Sequence, residues 1–190
     1  MGKVLLIVDP QRDFMDDGSL PVIGSEERMR NLSTFLSTLP FEEYDNIIVT
    51  LDWHPINHCS FKQNGGEWPQ HCVAFSEGAL VTEPLLENLW QWAHKGKLTF
   101  ATKGTSALVE EYSIVKNTKS FSKILPILEK ADQIDVCGVV GTVCVKNTIN
   151  DLLDLFKNKL NVILRFTAQF NDEAEKGFIE WLKEKGVKFN

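Results

Sequence analysis

The sequence has no hydrophobic run long enough to cross a membrane or to serve as a signal peptide. Its first apolar stretch, residues 4–8, ends at Asp9, whereas a membrane-spanning helix needs about 20 apolar residues. We therefore expect a cytoplasmic protein with no membrane partner. The chain also lacks internal repeats and Gly/Ser-rich or Pro-rich linkers, so we expect a single domain over residues 1–190.

Positive charge and paired cysteines are also scarce. Twenty Lys and Arg residues stand against 26 Asp and Glu residues, and the net charge of −6 disfavours nucleic acid as a partner. The four cysteines form no Cys-x-x-Cys pair, and a chain of 190 residues does not need disulfides, so we expect free thiols. A hydrophobic content of 43% is enough for a folded core and excludes a disordered chain.

Short apolar runs alternate with longer stretches whose apolar residues recur at helical spacing. The predicted strands are residues 3–8, 46–51, 98–102, 133–138, 161–165 and 187–189. The predicted helices are residues 25–37, 84–94, 120–129, 142–156 and 172–185. This order predicts an α/β fold: a doubly wound, mostly parallel six-stranded sheet with helices on both faces.

Four reactive side chains follow the predicted strands. Asp9, Asp52 and Lys103 stand at the ends of the first three strands, and the fourth strand leads to Cys144. Ligands of open α/β sheets bind beyond the carboxyl ends of the strands. These four side chains are therefore candidates for one active site.

The residues after the second strand favour a metal site. Asp52 and His54 are two positions apart, so an extended backbone directs both side chains to the same side. The loop over residues 55–82 is too long to be a simple connection, and it carries His58 and His71 as further candidate ligands. Carboxylate and imidazole ligands suit Zn, Fe or Mn.

The sequence around Cys144 favours a reactive thiol. Thr142 is a candidate N-cap, which would place Cys144 in the first turn of a helix, where free backbone N–H groups lower a thiol pKa. Lys103 would stabilise the thiolate further, and Asp9 would accept and return its proton.

Five segments carry a resemblance to a known family. They are residues 8–14 (VDPQRDF), 52–61 (DWHPINHCSF), 68–73 (WPQHCV), 103–105 (KGT) and 138–145 (GVVGTVCV). In this order they resemble the isochorismatase-like cysteine hydrolases and, within them, the nicotinamidases, also called pyrazinamidases. The resemblance spans nearly the whole chain. It implies hydrolysis of nicotinamide to nicotinate and ammonia through a thioester, as a step of NAD salvage.

The resemblance also implies roles for particular residues. Asp9, Lys103 and Cys144 would form the catalytic triad, and the backbone N–H groups of Val140 and Cys144 would bind the oxyanion, with a cis peptide bond before residue 140. One divalent metal ion, with zinc favoured over iron or manganese, would be held by a further group of residues. That group comprises Asp52, His54 and His71, with His58 either a ligand or a neighbour of the ligands.

The substrate pocket follows from the same resemblance. Phe14 and Trp68 would sandwich the pyridine ring, and Tyr112 would also contact the aromatic amide. The resemblance leaves the number of identical chains in the assembly open.

Two departures from the family pattern concern the preferred amide and not the reaction class. Relatives have Thr-Asp-Tyr-Cys where this chain has Gly141-Thr142-Val143-Cys144, and the usual Gly-Phe after Tyr112-Ser113 is absent. Three alternatives stay open: a metal-free carbamoyl or ureido amidohydrolase, a flavodoxin-like receiver or binding module without catalysis, and a structural zinc site.

Overall fold

Six parallel strands form one sheet in the computed structural model, which describes residues 2–190. The strands are β1 (Lys3–Val8), β2 (Asn46–Asp52), β3 (Leu98–Lys103), β4 (Gln133–Gly138), β5 (Leu160–Thr167) and β6 (Lys188–Phe189). Their order across the sheet is β3-β2-β1-β4-β5-β6, and every neighbouring pair is parallel. The predicted α/β sheet is confirmed.

Helices cover both faces of the sheet. They are α1 (Ser25–Thr38), α2 (Glu83–His94), α3 (Thr118–Lys130), α4 (Lys146–Phe156) and α5 (Asp172–Lys185). Alternate residues of β1 enter two separate cores: Leu5 and Ile7 pack with α1 and α2, while Leu6 and Val8 pack with α3, α4 and α5. The central strands are buried on both sides, which explains their continuous apolar runs. Among residues 2–190, no helix combines the length and the apolar character that crossing a bilayer requires.

The strand order fixes where a ligand can bind. The chain adds β2 and β3 on one side of β1 and then crosses to place β4 on the other side. This change of direction opens a crevice beyond the carboxyl ends of β1 and β4. Strand register brings Asp52 level with Lys103 and Val8 level with Gly138, so the ends of β1 to β4 meet at this crevice.

The long segment between β2 and α2 has little regular structure, as its lack of periodicity predicts. It contains one short 3-10 turn, Lys62–Asn64, and isolated bridges that join His54 to Val73 and Phe61 to Trp68. These bridges fold the segment back on itself, and the Cys59 N–H, which donates to the Ala107 carbonyl oxygen at 2.9 Å, ties it to the loop after β3. Its histidines and Trp68 thereby reach the crevice.

Candidate active site

A carboxylate, an ammonium and a thiol lie together at the ends of three strands. Asp9 directly follows β1, Lys103 ends β3, and Cys144 lies in the turn after β4. Lys103 Nζ is 2.8 Å from Asp9 Oδ2 and 3.5 Å from Cys144 Sγ, and its side chain is fully buried. The structure therefore brings Asp9 and Cys144 within contact distance of the Lys103 ammonium group.

Lys103 also pairs with a second carboxylate. Its Nζ lies 2.6 Å from Asp52 Oδ1, so one buried ammonium bridges Asp9 and Asp52. Burial raises the pKa of Asp9 to about 6, although Lys103 opposes that rise. Burial would also raise the pKa of Asp52, but Lys103 and His54 together hold it below its usual range. Asp52 is therefore the ionised carboxylate near neutral pH, while Asp9 can accept and release a proton there.

The turn that carries Cys144 differs from the sequence prediction. Residues Gly141–Val145 form a π-helical turn that continues into α4, and Val140 caps this turn in place of Thr142. The peptide bond between Val139 and Val140 is cis. The Val140 N–H has no acceptor within residues 2–190, so it is free to bind a ligand oxygen.

The prediction of a lowered thiol pKa is wrong for the free protein. Burial raises the pKa of the Cys144 thiol well above its usual value; Lys103 opposes this rise, and Asp9 adds to it. The side chain is only 4% exposed, and desolvation of a thiolate outweighs the helix-terminus effect on which the prediction relied. Cys144 is therefore a neutral thiol that needs a base when it reacts.

Asp52, His54 and His71 form a cluster with free ligand atoms. One ligand atom from each residue lies within 4.8 Å of the other two, and all three side chains are buried. His54 Nδ1 donates to the Gly104 carbonyl oxygen at 3.0 Å, and His71 Nδ1 donates to the Pro69 carbonyl oxygen at 2.8 Å. The neutral form of each imidazole therefore has an unprotonated Nε2, and this is the form that binds a metal ion. Burial lowers the pKa of His54, but the neighbouring Asp52 outweighs burial and raises that pKa above its usual value.

His58 has a different hydrogen-bonding pattern. Its Nδ1 accepts the Ser60 N–H at 3.2 Å, so the proton lies on Nε2, which donates to the Val109 carbonyl oxygen at 3.2 Å. The ring packs against His54 with a centroid separation of 4.1 Å. Both ring nitrogens of His58 are therefore hydrogen-bonded, and its ring supports His54 by packing against it.

A narrow aromatic crevice lies against both Cys144 and the histidine cluster. Phe14, Trp68 and Tyr112 line it, as the resemblance implies. Trp68 Nε1–H donates to Tyr112 Oη at 3.0 Å, which fixes the indole ring against the wall. Cys144, Asp52, His54 and His71 face the same space.

Four lining residues were not foreseen from the sequence: Leu20, Glu110, Val143 and Phe170. Phe170 stacks on Trp68 with a centroid separation of 6.0 Å and an interplanar angle of 17°. Burial raises the pKa of Glu110, and the charge of Asp52 raises it further. Glu110 lies only seven residues after Lys103, and its position on the same loop as Tyr112 is the one signal in the sequence that could have identified it.

A buried thiol beside a carboxylate, next to two histidines and an aspartate, is the arrangement of a hydrolase that combines a cysteine with a metal centre. No protein-family model matches the sequence. The nicotinamidase of Escherichia coli is 33% identical over 180 residues, which cover 85% of this chain and 80% of that protein. The chain therefore belongs to the nicotinamidase family.

Two solved structures are similar over the whole chain. The pyrazinamidase of Pyrococcus horikoshii in complex with zinc has a TM-score of 0.83 and 28% identity, covering 100% of this chain and 99% of that one. The protein PnC1 of L. infantum in complex with nicotinate has a TM-score of 0.82 and 32% identity, covering 100% of this chain and 92% of that one. Both cover the strand-end crevice and the segment between β2 and α2.

Proposed function

We propose that this protein hydrolyses nicotinamide to nicotinate and ammonia and thereby acts in NAD salvage. One observation carries the proposal: Cys144, which neighbours the buried Lys103 and Asp9, lines the same narrow aromatic crevice as the cluster of Asp52, His54 and His71. The E. coli relative is a nicotinamidase, and the similar L. infantum structure holds nicotinate. Both support a pyridine carboxamide as the substrate.

Cys144 is the nucleophile in this reaction. Asp9 removes the thiol proton as Sγ attacks the amide carbon, and the carbonyl electron pair moves to oxygen. The N–H groups of Val140 and Cys144 bind that oxyanion. Asp9 then gives its proton to the leaving nitrogen, the C–N bond breaks, and ammonia departs from a thioester.

A second proton cycle completes turnover. Asp9 takes a proton from water as the water oxygen attacks the thioester carbon. The C–S bond breaks, Sγ recovers a proton from Asp9, and nicotinate is released. Throughout, the Lys103 ammonium stabilises the negative charge that passes between Asp9 and Cys144, which it contacts at 2.8 and 3.5 Å.

Asp52, His54 and His71 would hold one divalent metal ion, and we propose zinc. The fit rests on the donor atoms: two imidazole Nε2 atoms, which carry no proton in the neutral form of each ring, and Asp52, whose pKa is held low enough to keep it ionised. When bound, the ion supplies a Lewis-acid contact for the pyridine nitrogen and so orients the ring. Phe14 and Trp68 bind the faces of that ring, and Tyr112 fixes Trp68 through its hydroxyl.

Substitution of the histidines separates ligands from neighbours. We expect His54→Ala and His71→Ala to lower zinc affinity by more than about 100-fold, because each removes a ligand. His58→Gln keeps one acceptor and one donor, so zinc affinity should stay within about tenfold of the wild-type value. Competition with a chromophoric chelator measures all three, and a His58→Gln loss equal to that of His71→Ala would make His58 a ligand.

The proposed function is tested with a panel of substrates. Purified protein is incubated with nicotinamide, with pyrazinamide and with an N-carbamoyl amino acid, and ammonia and the organic product are measured. We expect nicotinate and ammonia in equal amounts from nicotinamide. Turnover of the N-carbamoyl compound alone would favour the ureido amidohydrolase and overturn the proposal.

A further inference from the structure

The loop after β5 holds the turn that carries Cys144. Gln169 lies in this loop, and its Oε1 accepts the Thr142 N–H at 2.8 Å. The preceding residue, Ala168, accepts the Gly141 N–H at 2.8 Å through its carbonyl oxygen. Two successive N–H groups at the start of the π-helical turn are therefore bonded to one short segment that the sequence motifs do not include.

The Gln169 amide can reach the Thr142 N–H because residue 141 is a glycine and has no side chain in the way. A Cβ built on Gly141 would lie 2.8 Å from Gln169 Oε1 and still closer to the amide carbon and nitrogen. Real Cβ atoms do not approach other heavy atoms so closely, so any larger residue at position 141 would displace the Gln169 amide. Gly141 and Gln169 thus occupy one shared volume.

Filling space does not by itself explain why the buried side chain at position 169 carries an amide. The side chain is 6% exposed, and its Nε2 has no hydrogen-bond partner in residues 2–190. A buried donor without a partner is unfavourable, and an apolar side chain of the same length would avoid this penalty. What the amide provides in return is the Oε1 acceptor for Thr142.

We propose that Gln169 is a positioning residue that fixes the nucleophile turn, residues 140–145, through its bond to the Thr142 N–H. Val140 and Cys144 lie on either side of the two anchored residues, Gly141 and Thr142. Their N–H groups must be held in place before charge develops on the substrate oxygen. Gln169 therefore acts on the tetrahedral intermediate more than on the bound ring. This inference rests on the proposed function.

The decisive comparison uses two ligands of the same ring. The aldehyde carbon of nicotinaldehyde accepts Cys144 Sγ: the S–C bond forms, the carbonyl electron pair moves to oxygen, and the thiol proton passes to Asp9. That adduct carries the oxygen that the turn must bind, whereas nicotinate is bound without a new covalent bond. We expect Gln169→Ala to weaken inhibition by nicotinaldehyde at least tenfold and to change the Kd for nicotinate less than twofold.

Kinetics with nicotinamide should show the same division. Gln169→Ala is expected to lower kcat at least tenfold with KM within threefold, while Gln169→Glu, which keeps an acceptor oxygen, should recover most of the loss. Gly141→Ala should behave like Gln169→Ala because its methyl group displaces the amide. The double variant should be no slower than the slower single variant, since the shortened side chain leaves room for the methyl group.

The outcomes separate this inference from the proposed function. Absence of nicotinamide hydrolysis by the wild-type protein would refute the proposed function, and the directly measured Kd of nicotinaldehyde would then replace its inhibition constant as the test of Gln169. Gln169 is not a positioning residue if Gln169→Ala leaves kcat and nicotinaldehyde inhibition within twofold. The same conclusion follows if Gln169→Ala weakens the binding of nicotinate and the inhibition by nicotinaldehyde by equal factors. It also follows if the kcat losses of Gln169→Ala and Gly141→Ala multiply in the double variant.

Discussion

Replacing Cys144 with alanine is expected to lower kcat for nicotinamide by about 10⁵-fold or more, the scale of loss when the nucleophile of a covalent hydrolase is removed. The reason lies in the geometry. Cys144 lines the crevice, and its Sγ lies 3.5 Å from the Lys103 ammonium. The same ammonium pairs with Asp9, which is the base of the reaction. Without Sγ no thioester forms. Ammonia release measures the loss.

Nicotinate binding provides the internal check on that variant. The ring contacts of Phe14 and Trp68 do not include Sγ, so the Kd for nicotinate should change less than about threefold. Cys59→Ala is the matched control, because this half-buried thiol lies outside the crevice and its loss should leave kcat within twofold. Retention of more than about 1% of wild-type kcat by Cys144→Ala would show that another group performs the attack.

Asp9→Asn is expected to lower kcat about 10²- to 10⁴-fold, the range that general acid–base catalysis contributes. Asparagine has the shape of aspartate but cannot take the proton of a thiol whose pKa burial has raised. It also removes one of the two carboxylates that pair with Lys103. Because the nucleophile and the ring contacts stay in place, KM should change much less than kcat.

The pH profile provides a second test of the same residue. Burial raises the pKa of Asp9 to about 6, so this base is protonated and inactive below that pH and ionised above it. We expect kcat/KM of the wild-type protein to rise with pH through about 6. The residual activity of Asp9→Asn should lack this rise, and an unchanged rise in the variant would assign the titration to another group.

The sequence was most informative where local pattern and tertiary position coincide. The central strands are buried on both faces, so they appear as continuous apolar runs, and the side chains at their ends mark the crevice. β2 and β3 each extend one residue beyond the prediction, to Asp52 and Lys103, because these polar residues complete the strand pairing with each other. β5 continues to Thr167, which pairs with Gly138 across a register shift.

The remaining features depend on contacts that no local pattern records. Burial decides the pKa of Cys144, and burial comes from elements distant in the chain. The two tautomers that distinguish His54 and His71 from His58 depend on which carbonyl oxygens or N–H groups face each ring. Phe170 reaches the crevice because β4 and β5 are neighbours in the sheet, and strand order cannot be read from the strand sequences.

The central claim is that a thiol and a metal centre act on one pyridine carboxamide in one crevice. Its most direct test is ammonia release from nicotinamide by the wild-type protein and by Cys144→Ala, each as purified, after chelation, and after zinc is restored. We predict release by the wild-type protein that chelation abolishes and zinc restores, with none above background from the variant under any condition. Release that is unaffected by chelation, or that persists in Cys144→Ala, would contradict the account.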